Sequence, residues 1–585
     1  METATTGPAD GRPGRTPTSL PTAAASVEST GLQSSQLDIS LSDPQPQGHS
    51  TEEVRSEVTS TETLQEDQYG YVHGGASEFA YLQYAKQKLA SLPSVSIHFY
   101  DSPLERCNDF ASILPPKPVS DELMRSFFDF GLTTSRFVHE PSLRKAYESL
   151  YENGNANDEL GWDTLALIYM VLALGSHYSK LTNMFCGYTA SVRFYDMALK
   201  QPQQETGRIT LASLQTRLLT IHYLIHHSRL HEAWSSFGIL VRQAQALGLH
   251  RKSLGPSTNF ITYEYRKRLF WTIYTNDRVL SSVFGRPCAI HDDDIGQDEC
   301  ALANDEDICI SACLVTKSGG FCSGAALVHY ARLAQILGRI LRELYSPATR
   351  LRSITRLHES AMGFEKDLTS WQDNLPPYLN YVILPQSASS VVTQRQMCTL
   401  KLMFAHTSLL LYRPFILYSI ERGPGQQTSL EQWVKRCHDK AIEVAIMVVS
   451  ECRYLLQQGL FSRVFWMVNY VQFAFIGTLF MYSHIWPEAA HVRDVAQGAL
   501  DEFSIGVEGD SLGQRYVEVL TELRDITGAA RTSNSITPAR PWQDGEASAS
   551  EVSWADMSGP WSNLFFDTTI LSNYMDGEGS YEMNM

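Results

Sequence analysis

Residues 264–295 read "EYRKRLFWTIYTNDRVLSSVFGRPCAIHDDDI", and the fold of the chain turns on how they are read. Phe270, Ile273, Leu280 and Phe284 share one face of a helix, and Gly285 and Pro287 end it. Glycine takes the left-handed conformation that closes a helix, and proline cannot extend one. The stretch is therefore a core-facing helix. Asp277 lies on its apolar face, four residues after Ile273 and three before Leu280. A buried carboxylate costs several kcal/mol unless it is paired and hydrogen-bonded. The expectation is a buried polar brace. Arg286 or Arg242 is the expected partner, since the adjacent Arg278 points elsewhere on a helix. "YRKR", Tyr265 to Arg268, is the best basic cluster, and Glu264 with Arg268 at i, i+4 reads it as a solvated helix face rather than a nucleic-acid contact. Asp292, Asp293 and Asp294 could hold a divalent cation. Consecutive residues cannot all point one way, so they are expected to cap the following helix.

The same period continues on the N-terminal side. Leu211, Leu214, Leu218, Ile221 and Ile225 step by three and four, as do Trp234, Phe237, Val241 and Ala244, with Gly248 as a stop. Helical patterning begins near Ser77–Leu92, runs to about residue 530, and carries few strand signals and no fixed repeat. The fold class expected is all-α: a large multi-helix domain over 76–530, flanked by disordered tails at 1–75 and 531–585. The first tail is rich in Ser, Thr, Pro, Gly and Gln and cannot bury enough apolar surface to fold. The second interleaves Trp542, Trp554, Trp561 and Phe565 with Asp544, Glu551, Asp556 and Asp567, and has no Lys or Arg from residue 541 onward. That pattern fits an amphipathic activation-type segment which a partner groove could capture. The alternative is a plain solvated tail.

Composition narrows the function classes. The chain has 585 residues and a formal net charge of −17, so its bulk is not a surface for phosphates. The N-terminus lacks the apolar stretch of a signal peptide. Ten cysteines, the first at Cys107, are ordinary intracellular usage. The apolar run Val464–Tyr482 is interrupted by Asn469, Gln472 and Thr478 and reads as a buried core helix, not a membrane span. No nucleophile elbow, dinucleotide fingerprint, P-loop or H-E-x-x-H motif is present, so no catalytic residue is assigned and the chain is not expected to be an enzyme. His222 and His226 stand one helical turn apart without a nearby third ligand, and Cys300, Cys309, Cys313 and Cys322 form no C-x-x-C knuckle. No metal or cofactor ligand is assigned.

An ordered set of stretches carries a family resemblance. "ILPPKPVSDELMRSFFDFGLTTSRFVHEPSLRKAY", "LALIYMVLALGSHYS", "ITLASLQTRLLTIHYLI", "AWSSFGILVRQAQALGLHRKS", the 264–295 stretch, "WQDNLPPYL" and "LLYRPFIL" follow one another. Together they resemble the fungal-specific transcription factor domain, or middle homology region, of binuclear zinc cluster regulators. Glu264, Arg268, Trp271, Asp277, Arg278, Gly285, Arg286 and Pro287 match its signature. The resemblance implies a nuclear transcription regulator with an all-helical regulatory domain. DNA, the transcription machinery (through the acidic tail), a homo- or heterodimer partner and a small-molecule effector are the partners it implies; a membrane is not among them. Family members often carry six cysteines holding two zinc ions near the N-terminus. The first 106 residues here hold no Cys. Zinc and direct DNA binding are therefore expected only if such a cluster lies upstream of Met1. The alternative is a co-regulator that heterodimerises with another factor, or a metabolite-sensing module.

Overall fold

The computed structural model describes residues 65–66, 72–88, 114–152, 160–179, 188–200, 209–252, 259–316, 320–346, 354–380, 390–422, 429–459, 466–486 and 489–532. Nearly all of segment 1–75 and of segment 531–585, read as tails, lies outside the described residues. The exceptions are 65–66 and 72–75, which form a small strand pair and turn, and 531–532, which end a helix.

β1 (Gln65–Glu66) and β2 (Val72–His73) pair antiparallel, with Gln65 opposite His73. All other regular elements are helical. In order they are α1 (Glu78–Lys88), α2 (Lys117–Ser126), a π-helical turn (Phe127–Gly131), α3 (Glu140–Glu152), α4 (Trp162–Tyr178), α5 (Tyr188–Lys200), α6 (Leu211–His226), α7 (Leu230–Ala246) and α8 (Phe260–Phe284). Two 3-10 turns follow, Asp292–Asp294 and Asp305–Asp307. Then come α9 (Ala325–Leu344), α10 (Ile354–Asp373), α11 (Val391–Arg422), α12 (Ser429–Gln457), α13 (Trp466–Ile485), α14 (Ala490–Gly506) and α15 (Ser511–Thr532).

Local chemistry explains the helix ends. A reciprocal cap opens α6: Thr210 Oγ1 accepts the Ser213 N–H at 3.1 Å and Ser213 Oγ accepts the Thr210 N–H at 3.0 Å. Asn259 Oδ1 accepts the Thr262 N–H at 3.2 Å at the start of α8. Gly248 and Gly285, at φ +67° and +63°, close α7 and α8 as the sequence predicts. Leu214, Leu218, Ile221 and Ile225 are buried on α6, and Phe237, Val241 and Ala244 on α7, while Leu211 and Trp234 at the ends of those stripes are half-buried.

Two helices are apolar on all sides and form the centres of packing. α4 packs against α2, α5 and α6, and α13 against α12, α14 and α15. α9 lies against α8, α10 and α11 and joins the two groups. The described part of the run 464–482, residues 466–482, is buried except for the half-buried Tyr482. Asn469 Nδ2 donates to Asp510 Oδ2 at 2.9 Å and Thr478 Oγ1 to the Ala474 carbonyl at 2.8 Å, while Gln472 Nε2 has no partner among the described residues. Among the described residues no helix is long and apolar enough to cross a membrane.

Candidate functional site

α8 carries the signature residues Glu264, Arg268, Trp271, Asp277 and Arg278, with Gly285, Arg286 and Pro287 just beyond its end, and two buried carboxylates tie it to the chain that follows. The first is Asp277, which is fully buried. Its oxygens accept the backbone N–H groups of Ala289 at 2.9 Å and Ile290 at 3.1 Å, so the chain beyond the Gly285 stop is folded back onto the helix. The brace exists, but its expected partners are corrected. Arg278 Nη1 lies 2.5 Å from Asp277 Oδ2. Arg242 instead donates to Gln245, and Arg286 packs over Trp234 and Phe284, with Nη2 3.3 Å from His231 Nδ1. The reason is reach: the Arg278 side chain lies across the Tyr274 ring, 4.2 Å from its centroid, and its fork spans two acids. Nη2 reaches Asp292 Oδ1 at 2.7 Å, which also accepts the Tyr274 hydroxyl at 2.7 Å. Burial pushes the Asp277 carboxyl up, against the opposing pull of Arg278 and the two amides. Burial acts upward on Asp292 too, but Tyr274 and Arg278 outweigh it and hold that carboxyl low.

The acidic run is a second correction. Asp292–Asp294 form a 3-10 turn of their own, without a side-chain cap, and the next α-helix begins only at Ala325. Asp292 is the latch for Arg278 rather than a helix cap.

The other carboxylate, Asp305, was not picked out from the sequence. Arg268 Nη1 and the Tyr265 hydroxyl donate to its Oδ1 at 2.6 and 2.8 Å, and Arg136 Nη1 to its Oδ2 at 2.8 Å. His139 Nε2 lies 3.1 Å from its backbone carbonyl, so the start of α3, α8 and the 300–308 loop meet at one residue. Burial pushes its carboxyl up, but Arg136 and Arg268 prevail and hold it low. This overturns the solvated reading of "YRKR". Glu264, Tyr265, Lys267 and Arg268 are all buried. Glu264 Oε2 pairs with Lys267 at 2.6 Å, and Glu264 Oε1 accepts the Ala301 N–H at 2.7 Å, while the expected Arg268 contact is the longer one at 3.5 Å. Trp271 Nε1 donates to the Asp298 carbonyl at 2.9 Å, tethering the same loop. Pro287 stands in the short segment between the Gly285 stop and Ala289.

A third buried pair joins distant parts of the chain. Glu78 on α1 and Arg413 on α11 form an ion pair in which both side chains are closed to water. Arg413 Nη1 also donates to the Ala76 carbonyl at 3.2 Å. Glu78 Oε1 has no hydrogen-bond partner and lines a cavity of ≈ 20 Å³, and burial pushes this carboxyl up to about 7. Beside it the backbones of Gly74 and Gly285 touch: a Cβ on Gly285 would stand 2.2 Å from the Gly74 carbonyl oxygen.

A larger cavity of ≈ 70 Å³ opens between the π-helical turn, α6, α8, α9, α11 and α13. One wall is a stack. Arg395 lies 3.8 Å from the Phe130 ring centroid, Phe130 stacks on Tyr178 at 6.3 Å, and the Tyr178 hydroxyl is 3.0 Å from His226 Nε2. Across from it, Asn276 Nδ2 donates to the Thr272 carbonyl at 2.8 Å, so its Oδ1 accepts from His222 Nε2 at 3.1 Å. Burial holds the His222 imidazole below its ordinary pKa, and it is neutral. His222 and His226 thus both line this cavity. Among the described residues no group of three or more His, Cys, Asp or Glu is placed to hold a metal, and Cys300, Cys309, Cys313 and Cys322 are free thiols.

The geometry defines an all-helical domain whose signature charges fasten loops to a core helix. Residues 124–373 match the fungal specific transcription factor domain. The match runs from the end of α2 to the end of α10 and contains the whole of α8. Relatives include "Activator of stress genes 1" of Saccharomyces cerevisiae, 29% identical over 384 residues, 64% of this chain and 39% of that protein. "Activator of stress genes protein 1" of Candida albicans is 27% identical over 405 residues, 63% of this chain and 40% of that protein. "Transcriptional activator protein acu-15" of Neurospora crassa is 25% identical over 314 residues, 53% of this chain and 32% of that protein. The chain therefore spans less than half the length of these three curated relatives.

Proposed function

We propose that this chain regulates transcription in the nucleus through its helical domain, without catalysis, and that the acidic-aromatic stretch 541–585 recruits the transcription machinery. One observation carries this reading: the match to the transcription factor domain contains the whole of α8, the helix whose charges organise the chain around it. The printed names of the relatives support the same class. The domain's role is to present a fixed surface, because Asp277 and Asp305 lock the segments after α8 in place.

The test is a reporter assay with the full chain fused to a foreign DNA-binding module, beside the same fusion truncated after residue 532. Activation that depends on 541–585 supports the reading. Equal activity of the two fusions removes the role given to the tail, and no effect of either on the reporter removes the regulator. Chromatin occupancy that requires a second DNA-binding factor identifies the heterodimerising co-regulator form. Occupancy without one identifies direct DNA binding.

A further inference from the structure

We propose that the ≈ 70 Å³ cavity behind the π-helical turn binds a small organic anion, a carboxylate with a short apolar tail, and that the bound anion links the matched domain to the helices beyond it.

The charge of the lining gives the sign of the ligand. Arg395 brings a guanidinium to the wall while itself being only 7% exposed, and none of the described lining residues is Asp or Glu. A guanidinium fork matches carboxylate geometry, and its pairing is strengthened where water is scarce. Arg395 is also oriented: Nη1 donates to the Asp129 carbonyl at 2.7 Å, and its plane sits over Phe130. Asp129 contributes an opposing negative charge from outside the lining, which a ligand anion would have to work against. Thr134 and Ser135, each with a hydroxyl, also line the cavity.

The rest of the lining gives the tail. Val279, Tyr330, Trp466 and Met467 are apolar or aromatic, and neutral His222 adds no charge. The volume of ≈ 70 Å³ is less than half of the roughly 150 Å³ that takes up a benzene ring, which suits a short-chain acid and not a phenyl-bearing acid, a sterol or a nucleotide.

The backbone supplies a separate reason to see a site here. A π-helical turn is rare and recurs at functional positions. This one, Phe127–Gly131, places Phe130 and Gly131 in the wall. The lining also crosses a boundary. Phe130, Tyr178, His222, Asn276 and Tyr330 lie within 124–373, whereas Arg395, Thr399, Trp466 and Met467 lie beyond it. An anion held by Arg395 and packed between Val279 and Trp466 would contact both parts at once.

The experiment uses the full chain with propionate and butyrate as probes, and propionamide and butyramide as uncharged controls. Binding is read by saturation-transfer NMR and by the shift in melting temperature, since a ligand of the native state raises stability with concentration. Both acids should bind saturably in the millimolar range and the amides should not. Arg395→Gln should weaken the acids roughly tenfold or more. Asp129→Asn, which keeps the carbonyl that holds Arg395, should tighten them. Ser135→Trp, which fills the mouth, should abolish binding with the helical signal unchanged. Absence of saturable binding by both acids, or equal binding by the amides, overturns the proposal. Should Arg395→Gln not fold, unchanged affinity in both Asp129→Asn and Ser135→Trp overturns it equally.

Discussion

Arg268 Nη1 stands 2.6 Å from Asp305 Oδ1, and both side chains are almost wholly closed to water. Removing one partner of such a pair leaves a buried charge uncompensated. Asp305→Ala strands Arg268 and Arg136 together and should cost about 3–5 kcal/mol of stability, read as a lowered urea midpoint. The carboxyl of Asp305 is held low, so its contribution is complete above the ordinary carboxylate value of about 3.9. It is lost as pH falls below that value, through the folded-state pKa. A variant that keeps the wild-type midpoint would remove the knot as a source of stability.

Glu78 titrates with the opposite sign. Its pKa is raised to about 7 in the fold, so its contribution is complete below about 4.5 and declines as pH rises toward 7. Melting temperature measured across that range should fall with pH in the wild type relative to Glu78→Gln, whose side chain mimics the protonated form. The difference should reach up to about 3 kcal/mol. Parallel pH curves for the two proteins would contradict the assignment.

Gly285→Ala should destabilise by about 2–4 kcal/mol. The residue sits at φ +63°, and its added methyl would collide with the Gly74 carbonyl at 2.2 Å. Calorimetric melting of the full chain checks the size. Gly248→Ala, also at positive φ but with open space around its Cβ, should cost only the conformational part, about 1–2 kcal/mol.

Arg278→Lys should behave as a disruptive change despite keeping the charge. The fork serves Asp277 and Asp292 at once, and an ammonium cannot span both. A loss of about 2–3 kcal/mol is expected in chemical denaturation. Gly338→Ala on α9 should mimic part of it, because its Cβ would stand 2.6 Å from Arg278 Nε.

The helices were legible because their period and stops are local. Phe270, Ile273, Leu280 and Phe284 mark the buried face of α8, and Gly285 ends it as read. That Asp277 must be braced was also legible, since a carboxylate on an apolar face demands a partner. Which partner was not: a helical wheel shows where a side chain leaves the backbone, and Arg278 is long enough to return over Tyr274. Asp305 was invisible for a different reason. It lies on a loop whose path is set by the contacts it makes, and nothing in its neighbours signals Arg136 or Arg268. The anion cavity is harder still, for its lining comes from segments spread between Phe130 and Met467.

Gln396 on α11 donates to the Thr133 carbonyl at 2.9 Å and the Ser323 carbonyl at 2.8 Å, and Trp371 at the end of α10 stacks on Phe404 at 5.7 Å. The match to the fungal specific transcription factor domain stops at residue 373, but hydrogen bonding and aromatic packing run straight across that border. The matched segment 124–373 is thus not a cooperative unit by itself. A fragment trimmed to it would bare the α9–α10 face that α11 covers and would aggregate, so expression designs should extend through α15.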